Sequence, residues 1–238
     1  MPKDYVEVVV LISADVEWRV IRQLMPNVEI DESPFGEYFH VATLIGGGNR
    51  DIVFFQGGWG KISAAASTQY TFDRWKPRLL VNLGTCGGFE GEIERGTIVL
   101  VERTSVYDIY EQMGDVEAHI SHYTTELDLS WLREPYPEPV YRGLLVSGDR
   151  DLIPDDINLL KHKFGAVAGD CESGAIAYVA KRNNAPCLIL RGVSDIVGDQ
   201  GSEAYGDINL FEKSAEEIMA HLVDKLPAWI DCTGVFRN

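Results

Sequence analysis

Apolar residues follow two alternating rhythms along this chain. Residues 6–13 (polar only at Glu7 and the closing Ser13), 79–83 and 187–192 are nearly unbroken apolar runs, the pattern of strands buried on both faces. Between them the spacing changes. Trp18, Val20, Ile21 and Leu24 recur at helical intervals until Pro26, and an alanine-rich helix over 62–75 stops before Pro77. A long amphipathic helix over 210–226 sets Phe211, Ile218, Leu222 and Leu226 on one face. Shorter helices are predicted at 156–164 and 172–182, and strands at 97–101, 143–146 and 166–168. The runs 40–44 and 51–55 flank Gly46-Gly47-Gly48-Asn49, which reads as a hairpin. Residues 107–139 are polar and weakly periodic and predict a long loop with little structure; loops of that length are often functional lids. Strands alternating with helices predict an α/β fold with a mostly parallel or mixed central sheet. The chain shows no repeat, linker or low-complexity stretch, so residues 1–238 are expected to form a single domain.

Charge narrows the partners. Lys and Arg number 21 against 37 Asp and Glu, for a formal net charge of −16. A surface that acidic repels phosphate backbones and anionic lipid, so neither nucleic acid nor membrane is an expected partner. The apolar stretch at 8–12 is also too short to span a bilayer. Cys86, Cys171, Cys187 and Cys232 show no CxxC spacing, and three of them sit in apolar or glycine-rich runs. They read as reduced thiols, and with no signal peptide in the sequence the expected compartment is the cytoplasm.

In open α/β sheets ligands bind beyond the carboxyl ends of the strands. After Leu83 comes Gly84-Thr85-Cys86-Gly87-Gly88, where exposed amides and a hydroxyl either meet a ligand or form a tight turn. It is neither a GxGxxG nor a P-loop. In Asp170-Cys171-Glu172-Ser173, Glu172 stands at a helix N-terminus. It either caps that helix or holds two adjacent ribose hydroxyls. Arg191 and Asp195 follow a buried run, where an unpaired charge is costly. They form a structural ion pair, or Asp195 is a general acid. Glu17 is a solvated first-turn acid or, given its place after the first strand, a site residue.

These segments, taken together, resemble the nucleoside phosphorylase-I family, and within it the 5′-methylthioadenosine/S-adenosylhomocysteine nucleosidases. The resembling stretches are 8–18, 57–65, 82–88, 96–108, Ser147-Gly148-Asp149, 170–175 and 191–195, in the family's order and spacing. The resemblance implies a twisted, partly closed mixed sheet flanked by helices, a homodimer, and no metal or cofactor. It implies that Asp195 protonates the purine at N7, with Ser194 beside the base. Glu172 would grip the ribose hydroxyls, with Cys171 on the ribose side. Glu17, after a one-residue shift, matches the water-activating glutamate, and Arg191 and Thr85 match positions that help hold the water. Cys86 and Gly87 belong to the matching glycine loop.

The chemistry is consistent with that pattern. Breaking an N-glycosidic bond builds an oxocarbenium-like sugar and negative charge on the base, so one acid protonates the base while another group activates water. Two departures matter. Phosphorolytic members carry arginines and a Gly-Asp-Pro-type loop where this chain has Ser13-Ala14-Asp15, which favours water over phosphate. At position 151, where the nucleosidases tend to carry an aromatic residue against the base, this chain has Asp151, with Leu152 next to it. The expectation is hydrolysis of a purine nucleoside. A phosphate-dependent phosphorylase and a non-catalytic nucleoside-binding or storage protein of the same fold are the rival readings.

Overall fold

The computed structural model describes residues 5–45 and 48–236. The first buried run is strand β1 (Val8–Ile12). Its side chains alternate between two cores: Val8, Val10 and Ile12 pack into one, Val9 and Leu11 into the other. That is why the run is apolar at successive positions. Helix α1 (Asp15–Leu24) follows, then strands β2 (Asp31–Glu32), β3 (Glu37–Ile45) and β4 (Gly48–Gln56). β3 and β4 pair antiparallel, as the hairpin pattern predicts; its turn glycines Gly46 and Gly47 lie outside the described residues. Helix α2 (Gly60–Arg74) leads into β5 (Leu79–Phe89) and β6 (Ile98–Val106).

The second half adds α3 (Val116–His122), β7 (Thr124–Glu126), β8 (Tyr141–Ser147) and α4 (Pro154–Leu159), which runs on as a π-helical turn to Phe164. Then come β9 (Ala166–Asp170), α5 (Ser173–Arg182), β10 (Cys187–Gly198), β11 (Gly201–Ser202) and α6 (Ile208–Asp231). Among the described residues no helix is long and apolar enough to cross a membrane.

All strands join one mixed sheet in the order β11-β10-β6-β8-β9-β5-β1-β4-β3-β2, with β7 beside β6. β10 also pairs with β5, so β5, β9, β8, β6 and β10 close into a ring while β1 to β4 extend from it. Helices α1 and α6 cover one face and α2 and α5 the other. The sheet is thus partly closed and flanked by helices, as expected.

Two expectations are corrected. Residues 107–139 are not simply loop: Asp115 caps α3 through the amides of Glu117 and Ala118, and β7 adds an edge to the sheet. The glycine-rich segment after Leu83 is not a turn either. Gly84 to Phe89 continue β5 in register with β10, and Gly87 and Gly88 also pair with β9. β10 likewise runs past Gly192 to Gly198. Closure explains both extensions, because ring strands gain a partner on each edge, whatever their local propensity.

One edge of β5 stays with β10, and the other changes partner. β1 pairs with Leu79 to Asn82 and then leaves, and β9 joins only at Gly87. The fork between them, at residues 83–86, is the crevice over which a ligand site forms.

Candidate active site

Glu17 occupies that fork. It is the third residue of α1, and its Oε2 accepts a 3.3 Å hydrogen bond from the Ala14 amide that begins the helix. Its Oε1 accepts from the Thr85 amide at 2.6 Å and the Thr85 hydroxyl at 2.9 Å. Glu17 therefore satisfies backbone that the departing β1 leaves unpaired, and it is only 2% exposed, not the solvated acid of the bland reading. Burial raises its pKa; the Arg191 guanidinium and the Thr85 donors pull the other way.

Asp195 is placed by a β-bulge. The β10–β5 register slips between Val193 and Asp195, so the adjacent side chains of Ser194 and Asp195 both reach the same cavity. Ser194 Oγ lies 2.6 Å from Asp195 Oδ1 and 3.2 Å from the Cys86 carbonyl, and Ser202 Oγ bonds Oδ2. Ser194 has one hydroxyl hydrogen. It can donate to the carboxylate, or donate to Cys86 and accept from a protonated Asp195, so the site accommodates both states.

Glu172 stands at the N-cap position of α5, but its side chain makes no capping bond. Its Oε1 instead accepts a 3.1 Å bond from the Gly60 amide, which Gly60 aims with a left-handed φ of 81°. Burial, reinforced by the negative charge of Asp170, pushes Glu172 up to about 8 against the opposing pull of Arg191. Arg191 is fully buried and pairs with Asp170 at 3.0 Å rather than with Asp195.

One cavity of about 360 Å³ collects these groups. Glu17, Thr85, Cys86, Gly87, Asp151, Leu152, Cys171, Glu172, Ser194 and Asp195 all line it. Of the residues singled out by sequence, Arg191 stays out of the lining. It lies beneath the floor, within 3.0 Å of Asp170 and 3.9 Å of Glu172. Burial pushes the Cys86 thiol up, and burial with the Glu172 charge takes Cys171 to about 12, so both present neutral, apolar sulfur.

Sequence reasoning missed Asp170, Ser202, Trp59 and Tyr205. Asp170 carries a readable signal, a short acid just before a helix; Ser202 carries none. Trp59, Tyr205 and Phe211 supply the cavity's aromatic surface, so its aromatic lining comes from segments other than position 151. Tyr205 is fixed by a 3.0 Å bond from its hydroxyl to the Leu152 carbonyl. Among the described residues the lining holds one cation, Arg150, which is paired with Asp156.

Gly84 shows how tightly the floor is built. A Cβ there would lie 1.8 Å from Arg191 Nη1 and 2.9 Å from Glu17 Oε1. Gly84→Ala is expected to destabilise by about 1–3 kcal/mol, the usual cost of overpacking, and to weaken catalysis with it. Urea unfolding checks the first effect, and an unchanged midpoint would mean that the floor yields.

The family model described as Phosphorylase superfamily matches residues 7–227. A 5′-methylthioadenosine/S-adenosylhomocysteine nucleosidase of Maridesulfovibrio salexigens is 30% identical over 203 residues, covering 79% of this chain and 84% of its own. That of Oceanobacillus iheyensis is 26% identical over 224 residues, covering 89% and 96%. Among solved structures, the Neisseria meningitidis nucleosidase with methylthio-immucillin-A superposes with a TM-score of 0.74 at 20% identity, covering 94% of this chain and 98% of the other. The Streptococcus pneumoniae nucleosidase with 8-aminoadenine gives 0.76 at 20% identity, covering 95% and 99%.

Proposed function

The chain belongs to the phosphorylase superfamily, and from that premise we propose that it is an N-glycosidase hydrolysing purine nucleosides of the 5′-methylthioadenosine/S-adenosylhomocysteine class. One observation carries the reading. Asp195 and Glu17, from opposite ends of the chain, are buried and hydrogen-bonded on the wall of one cavity, with no ion pair between them.

In this reading the ribose hydroxyls donate to Glu172, and Asp195 gives its proton to N7 of the departing base. Electrons from the glycosidic bond then flow into the protonated base, which departs as a neutral purine, while Glu17 takes a proton from the water that attacks the anomeric carbon. The Cys171 and Cys86 thiols provide apolar contact. No step calls for a metal or cofactor.

Water is favoured over phosphate by charge. A phosphate dianion needs several cationic donors. Here it would meet Glu17, Asp170 and Glu172, with Arg191 already committed to Asp170 and Arg150 to Asp156. Base release is expected to proceed at the same rate in phosphate-free buffer as with phosphate added, measured by chromatography of the free purine. A strict phosphate requirement would turn the reading into phosphorolysis. The non-catalytic alternative would be marked by loss of Asp195 or Glu172, and both are present.

We extend the reading to one domain over residues 1–238 and to a homodimer in the cytoplasm, acting in nucleoside and methionine salvage. The single continuous sheet supports the first. Trp59 and Ile62, 62% and 84% exposed at the start of α2, support a covered face in the second.

A further inference from the structure

Three acids and one base are walled together under the cavity. Glu17, Asp170 and Glu172 surround the single Arg191 guanidinium, and all four side chains are nearly sealed from solvent. The guanidinium is not shared evenly. Its Nη2 stands 3.0 Å from Asp170 Oδ2 and 3.9 Å from Glu172 Oε2. Nη2 also donates to Asn82 Oδ1 at 2.8 Å, and Nε donates to Ser173 Oγ at 2.9 Å. Nη1 and Glu17 Oε1 meet around the open Cβ position of Gly84.

The acids are not served equally either. Asp170 accepts from the hydroxyls of Ser147 and Ser173 and from the amides of Glu172 and Ser173. Glu17 accepts from two amides and a hydroxyl. Glu172 accepts one hydrogen bond, from Gly60, and its Oε2 has only the distant guanidinium. The other titratable groups around the cluster are the neutral thiols of Cys86 and Cys171, with the charge of Asp195 acting on Cys86 and that of Asp149 on Cys171. Three carboxylates against one cation would leave two buried charges uncompensated, which proteins avoid by retaining a proton.

We propose that Asp170 is a positioning residue: by holding Arg191 on its own side of the cluster it leaves Glu172 protonated in the free protein, and docking of a ribose diol expels that proton. The carboxyl O–H breaks, the proton leaves through the cavity mouth to buffer, and the two ribose hydroxyls donate to the carboxylate formed. The direction of the Glu172 shift, to about 8, agrees with this. The proposal rests on the ribose-gripping role given to Glu172 above.

The test is calorimetric titration with 5′-methylthiotubercidin, a nucleoside with carbon in place of N7, in two buffers of different ionisation enthalpy. The natural chain is expected to release about one proton per site near pH 7 and almost none above about pH 9, with Kd rising about tenfold per pH unit on the acid side of the Glu172 transition. In Asp170→Asn the guanidinium turns to Glu172, release near neutrality falls toward zero, and the Kd profile flattens. Asp170→Glu restores release. Binding without proton release overturns the proposal and leaves the nucleoside reading intact, whereas failure of the analogue to bind removes both. Full release by a folded Asp170→Asn also overturns it. Should that variant not fold, Glu172→Gln decides: release that persists there rules Glu172 out as the proton's holder.

Discussion

Asp195→Asn is expected to lower kcat for purine release by about 10²–10⁴-fold, the usual contribution of a positioned general acid. The substitution keeps the side chain's shape and still offers Ser194 and Ser202 a partner, so the bulge in β10 should persist. What it removes is the transferable proton. A substrate that needs no proton on its leaving group therefore separates chemistry from damage. A p-nitrophenyl riboside expels a stabilised anion, and Asp195→Asn should cleave it within about tenfold of the natural rate, far less than the loss on the purine nucleoside. Release of p-nitrophenolate is followed by absorbance, and free purine by chromatography. Equal losses on both substrates would show that Asp195 holds the site together rather than delivering a proton.

Much of the fold could be read from the chain because β1, β5 and β10 begin as apolar runs between helices of clear period. The boundaries could not. Gly84 to Phe89 and Val193 to Gly198 are strand only because the ring closes and β10 meets β5, a contact between segments more than a hundred residues apart in sequence. Local composition, rich in glycine and polar residues, says turn. The same distance hid the bulge at Ser194, without which Ser194 and Asp195 would point to opposite faces. It hid Ser202 as well, which becomes meaningful only once β11 folds back antiparallel on β10.

The candidate site was legible through resemblance more than through local chemistry. Read alone, Glu172 is equally a helix cap or a ribose holder, and Arg191 with Asp195 is equally an ion pair or a site with an acid in it. In space Glu172 binds the Gly60 amide and Arg191 pairs with Asp170. Burial removes the solvated-acid reading of Glu17 and gives its two oxygens structural work. One oxygen of Glu17 ties down the start of α1 and the other the forked edge of β5. A carboxylate whose structural bonds are made in its resting position is held still for the reaction, which lowers the cost of aligning it with a water.

That dual engagement sets the second large effect. Glu17→Gln is expected to reduce kcat by about 10²–10⁴-fold on the purine nucleoside. Unlike Asp195→Asn, it should lose as much on the p-nitrophenyl riboside, since both substrates need an activated water. The amide oxygen can keep the Thr85 bonds, but the NH2 group then faces the Ala14 amide, donor against donor, so a modest loss of stability should accompany the kinetic one. A pH profile distinguishes the two losses. Burial raises the Glu17 pKa. At saturating substrate, where Glu172 is already ionised by the bound ribose, kcat therefore rises with pH as Glu17 ionises, and that acid limb of kcat should vanish in Glu17→Gln whatever its stability. A variant that is merely less stable, with kcat and its acid limb unchanged on both substrates, would leave Glu17 as a structural bracket and the attacking water without a base.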